Sequence, residues 1–357
     1  MGKRIPELDG LRALAIMAVF FGHALKIRMM WIGVDLFFVL SGFLITGILL
    51  DMPRSGFKNF IGRFYARRAR RILPPYVLVL VVVTAIFGAS WMRHWYLYFG
   101  LMNYVDTFWR EKTFVPLSSL WSLGVEEQFY LVWPVVVYFI GAKKLPRLLL
   151  VLLILVPVLR GATTLLVAHL AFDTYHWFIY KGTPFRMDCL VMGALLTFVW
   201  RARHAQVRRF GVLGLVATAL TPLVMLALSR YATGFSTVDG TVRGNVATFE
   251  MSLVCVTGMM LWALSGRYTA VLRLAPMRWL GRISYSFYLI HESALELAQR
   301  RFHSAGMITL VAGAGALTYA ALSWYLIERP ILHGGSRRAA RAEVAAASDV
   351  ETPREVH

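Results

Sequence analysis

The chain has 357 residues, of which 58% are hydrophobic and only 16% charged, with a formal net charge of +19 and a mean hydropathy of +0.60. Apolar runs of about 20 residues recur along the whole length, which excludes a soluble globular domain and points to an all-α, polytopic membrane bundle. The strand-length alternation of an outer-membrane barrel is absent, and membrane topology accounts for the basic charge, so no nucleic-acid partner is expected.

Ten spans are predicted, at 8–27, 31–50, 73–91, 121–141, 147–169, 183–200, 208–229, 246–264, 283–300 and 306–328. An even number puts both termini on one side. Most of the 38 Lys and Arg fall in the segments on that side, which places the termini in the cytoplasm. The basic start, Lys3 and Arg4, has the look of a signal peptide, but the apolar run is long and has no A-x-A cleavage site, so it reads as a retained first span.

Span one sets Arg12 and His23 in otherwise apolar sequence, PELDGLRALAIMAVFFGHAL. Ionisable groups inside a membrane are costly, and function is the default reading; a snorkelling arginine and a core histidine is the plainer one. Eleven residues at about 100° each return to within roughly 20° of the same helix face, with about 16 Å of rise between them. One stripe therefore carries a cation near one surface and an imidazole toward the other. Span two carries Asp35 at a depth matching His23, and the short connection makes the two spans antiparallel neighbours. Asp35 is expected to meet His23 and fix its tautomer, or else to pin the hairpin as a buried ion pair.

The stretch RFYARRARRILPPY, Arg63 to Tyr76, is the strongest basic cluster and sits at the inner end of span three. It reads as a topology anchor on anionic lipid or as a phosphate site, with Arg67, Arg68 and Arg71 as arginine forks. Arg67 and Arg71, four apart, are expected to share a face. Residues 92–120, with MRHWYLYFGLMNYV at their start, can hide an interfacial or re-entrant helix. Span four opens WSLGVEEQFYLVWP, where Glu126 and Glu127 cannot share a face and at least one should point into the bundle; Trp121 and Trp133 suit interface anchors. Span six brings Arg186 and Asp188, and span eight brings Glu250. In span nine Tyr285, Tyr288, Glu292 and Glu296 make one stripe, with His291 beside it. Glu328, near the end of span ten, can pair with Arg12 or the basic cluster. Residues 1–332 form the membrane domain, and 333–357, rich in Ala, Arg and Glu, read as a disordered cytoplasmic tail.

Cys189 and Cys255 fall in apolar runs and give neither a disulfide framework nor a metal site. There is no G-x-S-x-G, Walker loop, H-E-x-x-H or CxxC. A lone histidine without a nucleophile motif fits general-base activation of a hydroxyl. A proton-coupled transporter competes with the enzyme reading, because charges in a ten-span bundle suit it too, although inverted repeats and broken helix pairs are missing. A non-catalytic scaffold would have little use for polar groups at one depth.

At this point the chain resembles the membrane acyltransferase-3 family of bacterial integral-membrane O-acyltransferases. The pieces that carry the likeness are LDGLRALAIMAVFFGH, GVDLFFVLSGFLI, RRARRILPPY, WSLGVEEQFYLVWP, FRMDCLVMG, ISYSFYLIH and YLIERP, in order across residues 5–330. The resemblance implies a ten-span protein of the bacterial cytoplasmic (inner) membrane. It would transfer an acyl group, usually acetyl, from cytoplasmic acyl-CoA to a hydroxyl of a surface or lipid-linked saccharide, or in some members of a small molecule such as a macrolide. By motif match, Arg12 and His23 take the family's essential Arg–His role, and Arg67, Arg68 and Arg71 hold the phosphates of CoA; Asp35 joins the catalytic set through its expected meeting with His23. Trp121, Ser122, Glu126, Glu127, Arg186, Tyr288 and His291 are the expected acceptor-side set. Acetyl-CoA is implied as co-substrate and no metal. Direct transfer and a transient acyl-histidine both remain open. The sequence stops soon after its last span, without the outer SGNH-type domain of many members, so the chain is expected to act alone or to hand the acyl group to an outer partner.

Overall fold

The computed structural model describes residues 5–108, 114–167, 172–235 and 240–332, and the tail from 333 lies outside them. The described chain is a helical bundle. Helix α1 spans Pro6–Leu25, and a 3-10 turn, Arg28–Trp31, links it to α2, Ile32–Asp51. Pro6 sits in the first turn of α1, where its missing N–H costs nothing, and Glu7 and Asp9 complement the helix dipole there. Lys26 ends α1 in the left-handed conformation at φ 54°, its N–H donating to Gly22.

The basic stretch is continuous with span three. It belongs to one long helix, α3, Phe57–Phe87, because Arg, Ala and Leu are good helix formers and nothing breaks the run before Pro74 and Pro75. The region 92–120 holds short pieces, as anticipated: 3-10 turns at Ala89–Arg93, Trp95–Leu97 and Val115–Leu120, and helix α4, Met102–Phe108. There follow α5 (Trp121–Ile140), α6 (Leu145–Val167), α7 (Phe172–Lys181), α8 (Thr183–Ala202), α9 (His204–Arg209), α10 (Gly211–Tyr231) and α11 (Val242–Ser265). The chain closes with α12 (Ala270–Arg273), α13 (Ala275–Gln299) and α14 (Ala305–Ser323), the last running into a π-helical turn at Trp324–Glu328.

Among the described residues, nine helical segments are long and apolar enough to cross a membrane. The tenth expected span is α13, a 25-residue helix packed between α1 and α14; its polar stripe keeps it below that apolarity. Helices α6 and α10 turn Leu150, Ile154, Val158, Leu213 and Leu223 outward, the surface that lipid would cover. The core pairs are α2 with α8, α1 with α13, and α10 with α11. Their close approach depends on small residues. A Cβ on Gly42 would run into the Leu190 carbonyl, and one on Gly193 into that of Val39, so α2 and α8 meet backbone to backbone.

Candidate active site

A cavity of about 810 Å³ enters the bundle at the end that holds the N-terminus of α1. Its rim is cationic. Arg12 from α1, Arg68 and Arg71 from α3, Arg201 from α8 and Arg282 from α13 all line it. Arg12 lies 3.6 Å from Asp9, and the Arg68 guanidinium sits 4.5 Å over the Tyr130 ring. The arginines that α3 turns to the cavity are the i, i+3 pair Arg68 and Arg71; Arg67, although four residues from Arg71 on the same helix, is exposed and lies outside the lining. Reasoning from sequence missed Arg201 and Arg282. Their signal was positional, since both flank spans on the basic side.

The apolar part of the wall comes from Leu8, Val34, Phe37, Phe38, Leu44 and Ile48. Glu126 faces the cavity, accepting from Ser41 Oγ at 2.6 Å and the Tyr130 hydroxyl at 3.0 Å. Glu127 is not among the lining residues, and its Oε1 is buried without a hydrogen-bond partner. Tyr285 and Glu328 also line the cavity; Glu328 accepts from Ser286 and Ser323 at 2.7 and 3.1 Å.

The cavity ends at Ser122 and Tyr288, whose side-chain oxygens are 2.5 Å apart, with the Phe37 ring 6.0 Å from that of Tyr288. One helical turn beyond Tyr288 on α13, about 5.4 Å, stand His291 and Glu292. His23 Nδ1 is 2.9 Å from His291 Nε2 and 3.6 Å from Glu292 Oε1. Glu292 is anchored in turn: its Oε2 accepts from Ser118 Oγ at 2.5 Å and the Ser119 N–H at 2.6 Å. His23 itself is exposed, while His291 is buried completely. The polar stripe of α13 therefore divides. Tyr285 and Tyr288 serve the cavity, Glu292 serves His23, and Glu296 pairs with Arg300 at the surface.

The expected meeting of Asp35 with His23 does not form. Asp35 is buried against Arg186, and it accepts from Ser252 Oγ at 2.6 Å. The physical reason is that a buried carboxylate gains most from a guanidinium that is itself removed from water, and α8 delivers one at that depth. Arg186 is also stacked 4.7 Å from Phe249, and Trp121 belongs to the same aromatic shell, 5.5 Å from Tyr180 and 6.0 Å from the Arg186 guanidinium. Arg160 completes a second buried group, with Asp188 and, at 3.2 Å, Glu250. Asp35, Arg186 and Trp121 thus form a pinning cluster separate from His23. The two cysteines are buried and free.

The sequence profile of the acyltransferase domain family matches residues 5–328. The chain is 30% identical to the peptidoglycan O-acetyltransferase OatA of Listeria monocytogenes, covering 93% of this chain and 56% of that protein. It is 32% identical to the putative peptidoglycan O-acetyltransferase YrhL of Bacillus subtilis, over 95% and 56% respectively. It is 26% identical to the O-acetyltransferase OatA of Staphylococcus aureus, over 81% and 50%. The chain spans about half the length of these relatives. No solved structure matches it.

Proposed function

Because the chain belongs to the acyltransferase domain family, we propose that it is a membrane O-acetyltransferase of the bacterial cytoplasmic membrane, taking acetyl from cytoplasmic acetyl-CoA to a hydroxyl of a cell-wall or other saccharide. The observation that carries this reading is an arginine-lined cavity, with mixed apolar and polar walls, that ends at Tyr288, one helical turn from His291, the buried partner of an exposed His23. The residues fit acyl-CoA. Arg12, Arg68, Arg71, Arg201 and Arg282 supply forked donors for its phosphates. Phe37, Leu44 and Ile48 suit the thin pantetheine arm, and the roughly 16 Å rise from Arg12 to His23 matches the reach it needs. The peptidoglycan named in the relatives is the acceptor class favoured here.

In the proposed step, His23 takes the proton of the acceptor hydroxyl. The freed oxygen pair forms the new C–O bond at the thioester carbonyl. The C–S bond then breaks, and His23 returns the proton to the departing thiolate. Glu292, 3.6 Å away, balances the imidazolium in between, as a carboxylate does for a catalytic histidine elsewhere. The Ser122 and Tyr288 hydroxyls, bonded to each other, close the end of the cavity nearest His291.

The test uses the purified protein in lipid nanodiscs with labelled acetyl-CoA and peptidoglycan fragments. Label moving to glycan with wild type, but not with His23→Ala, supports the reading. If acetyl-CoA neither binds nor turns over in folded protein, the donor assignment is wrong, and a proton-coupled transporter, which needs no acyl donor, takes its place.

A further inference from the structure

The partner of His23 has only one tautomer open to it. His291 is fully buried, and its Nδ1 lies 2.6 Å from the backbone carbonyl oxygen of Tyr288. A carbonyl oxygen accepts and never donates, so His291 Nδ1 carries the hydrogen and Nε2 is left with its lone pair. That Nε2 faces His23 Nδ1 at 2.9 Å, with the two ring planes within 4° of parallel. The bond exists only if His23 brings the hydrogen on Nδ1. The basic nitrogen of His23 is then Nε2, the ring nitrogen turned away from His291, on a side chain that is 44% accessible.

We propose that His291 is a positioning residue that holds His23 in the Nδ1–H tautomer, making His23 Nε2 the atom that removes the acceptor proton. This inference rests on the reading of His23 as the base and adds to it which nitrogen works and what selects it. The chain of bonds from the Tyr288 carbonyl through His291 to His23 does for this site what a buried carboxylate does in a Ser-His-Asp triad. Here a neutral imidazole orients the base, and Glu292 supplies the charge. Tyr288 joins the two halves of the site. Its hydroxyl closes the cavity, and its carbonyl starts the chain that aims His23.

A divalent cation is the competing occupant, because donor atoms of His23, His291 and Glu292 lie within 4.8 Å of one another. The geometry favours the hydrogen bond. Tetrahedral zinc with bonds of about 2.0–2.1 Å would hold its ligand atoms roughly 3.3 Å apart, whereas the two nitrogens are 2.9 Å apart.

The experiment compares His291→Gln with His291→Asn in nanodiscs, alongside His23→Ala. Glutamine can present its amide oxygen where Nε2 stood and still accept from His23. Asparagine reaches only the Nδ1 position, so it bonds Tyr288 and leaves His23 unoriented. His291→Asn should lower kcat about 100-fold with KM for acetyl-CoA unchanged, and His291→Gln should stay within about tenfold of wild type. Wild-type protein with 15N-labelled histidine rings, read by solid-state NMR and assigned through the signal lost in His23→Ala, should show His23 protonated at Nδ1 and bare at Nε2. This readout holds even if both His291 variants misfold. The proposal falls if His23 carries its hydrogen on Nε2, if folded His291→Asn matches His291→Gln, or if the purified protein holds one equivalent of zinc whose removal abolishes activity. An active His23→Ala overturns the base reading, and this inference with it. An inactive His23→Ala beside an active His291→Asn overturns the tautomer assignment alone.

Discussion

Replacing Asp35 separates stability from chemistry. The side chain is 1% exposed and pairs with Arg186, also 1% exposed, while Ser252 donates to its other oxygen. Two nitrogens of Arg186, Nε and Nη1, are already buried without hydrogen-bond partners among the described residues, and the nearby Asp188 is held by Arg160. Asp35→Ala strands a charge inside the bundle, and breaking a buried pair from one side costs about 3–5 kcal/mol. For a chain of this size that is a drop in melting temperature of roughly 6–15 °C, at about 2–3 °C per kcal/mol. The double variant Asp35→Leu with Arg186→Met removes both charges at similar volume and should recover most of the loss, a coupling that a double-mutant cycle isolates. Melting is followed in detergent by the fraction that remains monodisperse, and acetyl transfer is normalised to that folded fraction. Because Asp35 does not touch His23, normalised kcat should stay within about threefold of wild type, well below the 10²-fold or more that loss of a base-orienting group costs. A normalised kcat that collapses while the melting temperature holds would refute the structural assignment and restore the expected Asp35–His23 pair.

Three further predictions follow from the cavity and the packing. Arg68→Ala or Arg71→Ala should each weaken acetyl-CoA binding about 10–100-fold, the worth of one charge-assisted bond at about 1.5–3 kcal/mol, while Arg67→Ala, outside the lining, should leave it unchanged; isothermal titration in nanodiscs reads all three. Arg282→Ala should behave like Arg71→Ala, and an unchanged affinity there would remove α13 from the donor site. Gly193→Leu forces a side chain into the Val39 backbone, so it should yield no monodisperse protein, whereas Gly315→Leu, with open space at its Cβ, should express and melt as wild type does.

Much of this protein was legible in one dimension. Hydropathy places the helices because a backbone crossing lipid must satisfy its own hydrogen bonds, so each crossing is a long apolar run. Arg12, His23, Glu126 and Tyr288 stand out because polar groups are rare in such runs, and of these Arg12, Glu126 and Tyr288 line the cavity, which ends one turn from His291, the partner of His23. The i, i+3, i+7 spacing on α13 put Tyr288 and Glu292 on one stripe before any fold was known.

What the sequence could not supply was partnership. Residue counting puts Asp35 and His23 at one depth on adjacent helices, but Gly33 packs against Ala15 and Val19, so Asp35 lies about two turns from His23; Asp35 pairs with Arg186 from α8, and His23 with His291 and Glu292 from α13. Arg68, not Arg67, joins Arg71 at the cavity, and Arg201 and Arg282 arrive there from distant segments. Depth along a helix is set by counting residues. Which face meets which neighbour is set by the rotation of each helix about its axis, and that rotation is fixed by contacts such as Gly42 and Gly193 between segments some 150 residues apart in the chain. The spacing of apolar residues determined where this chain crosses the membrane; close packing of the helices decided which of its buried charges would meet.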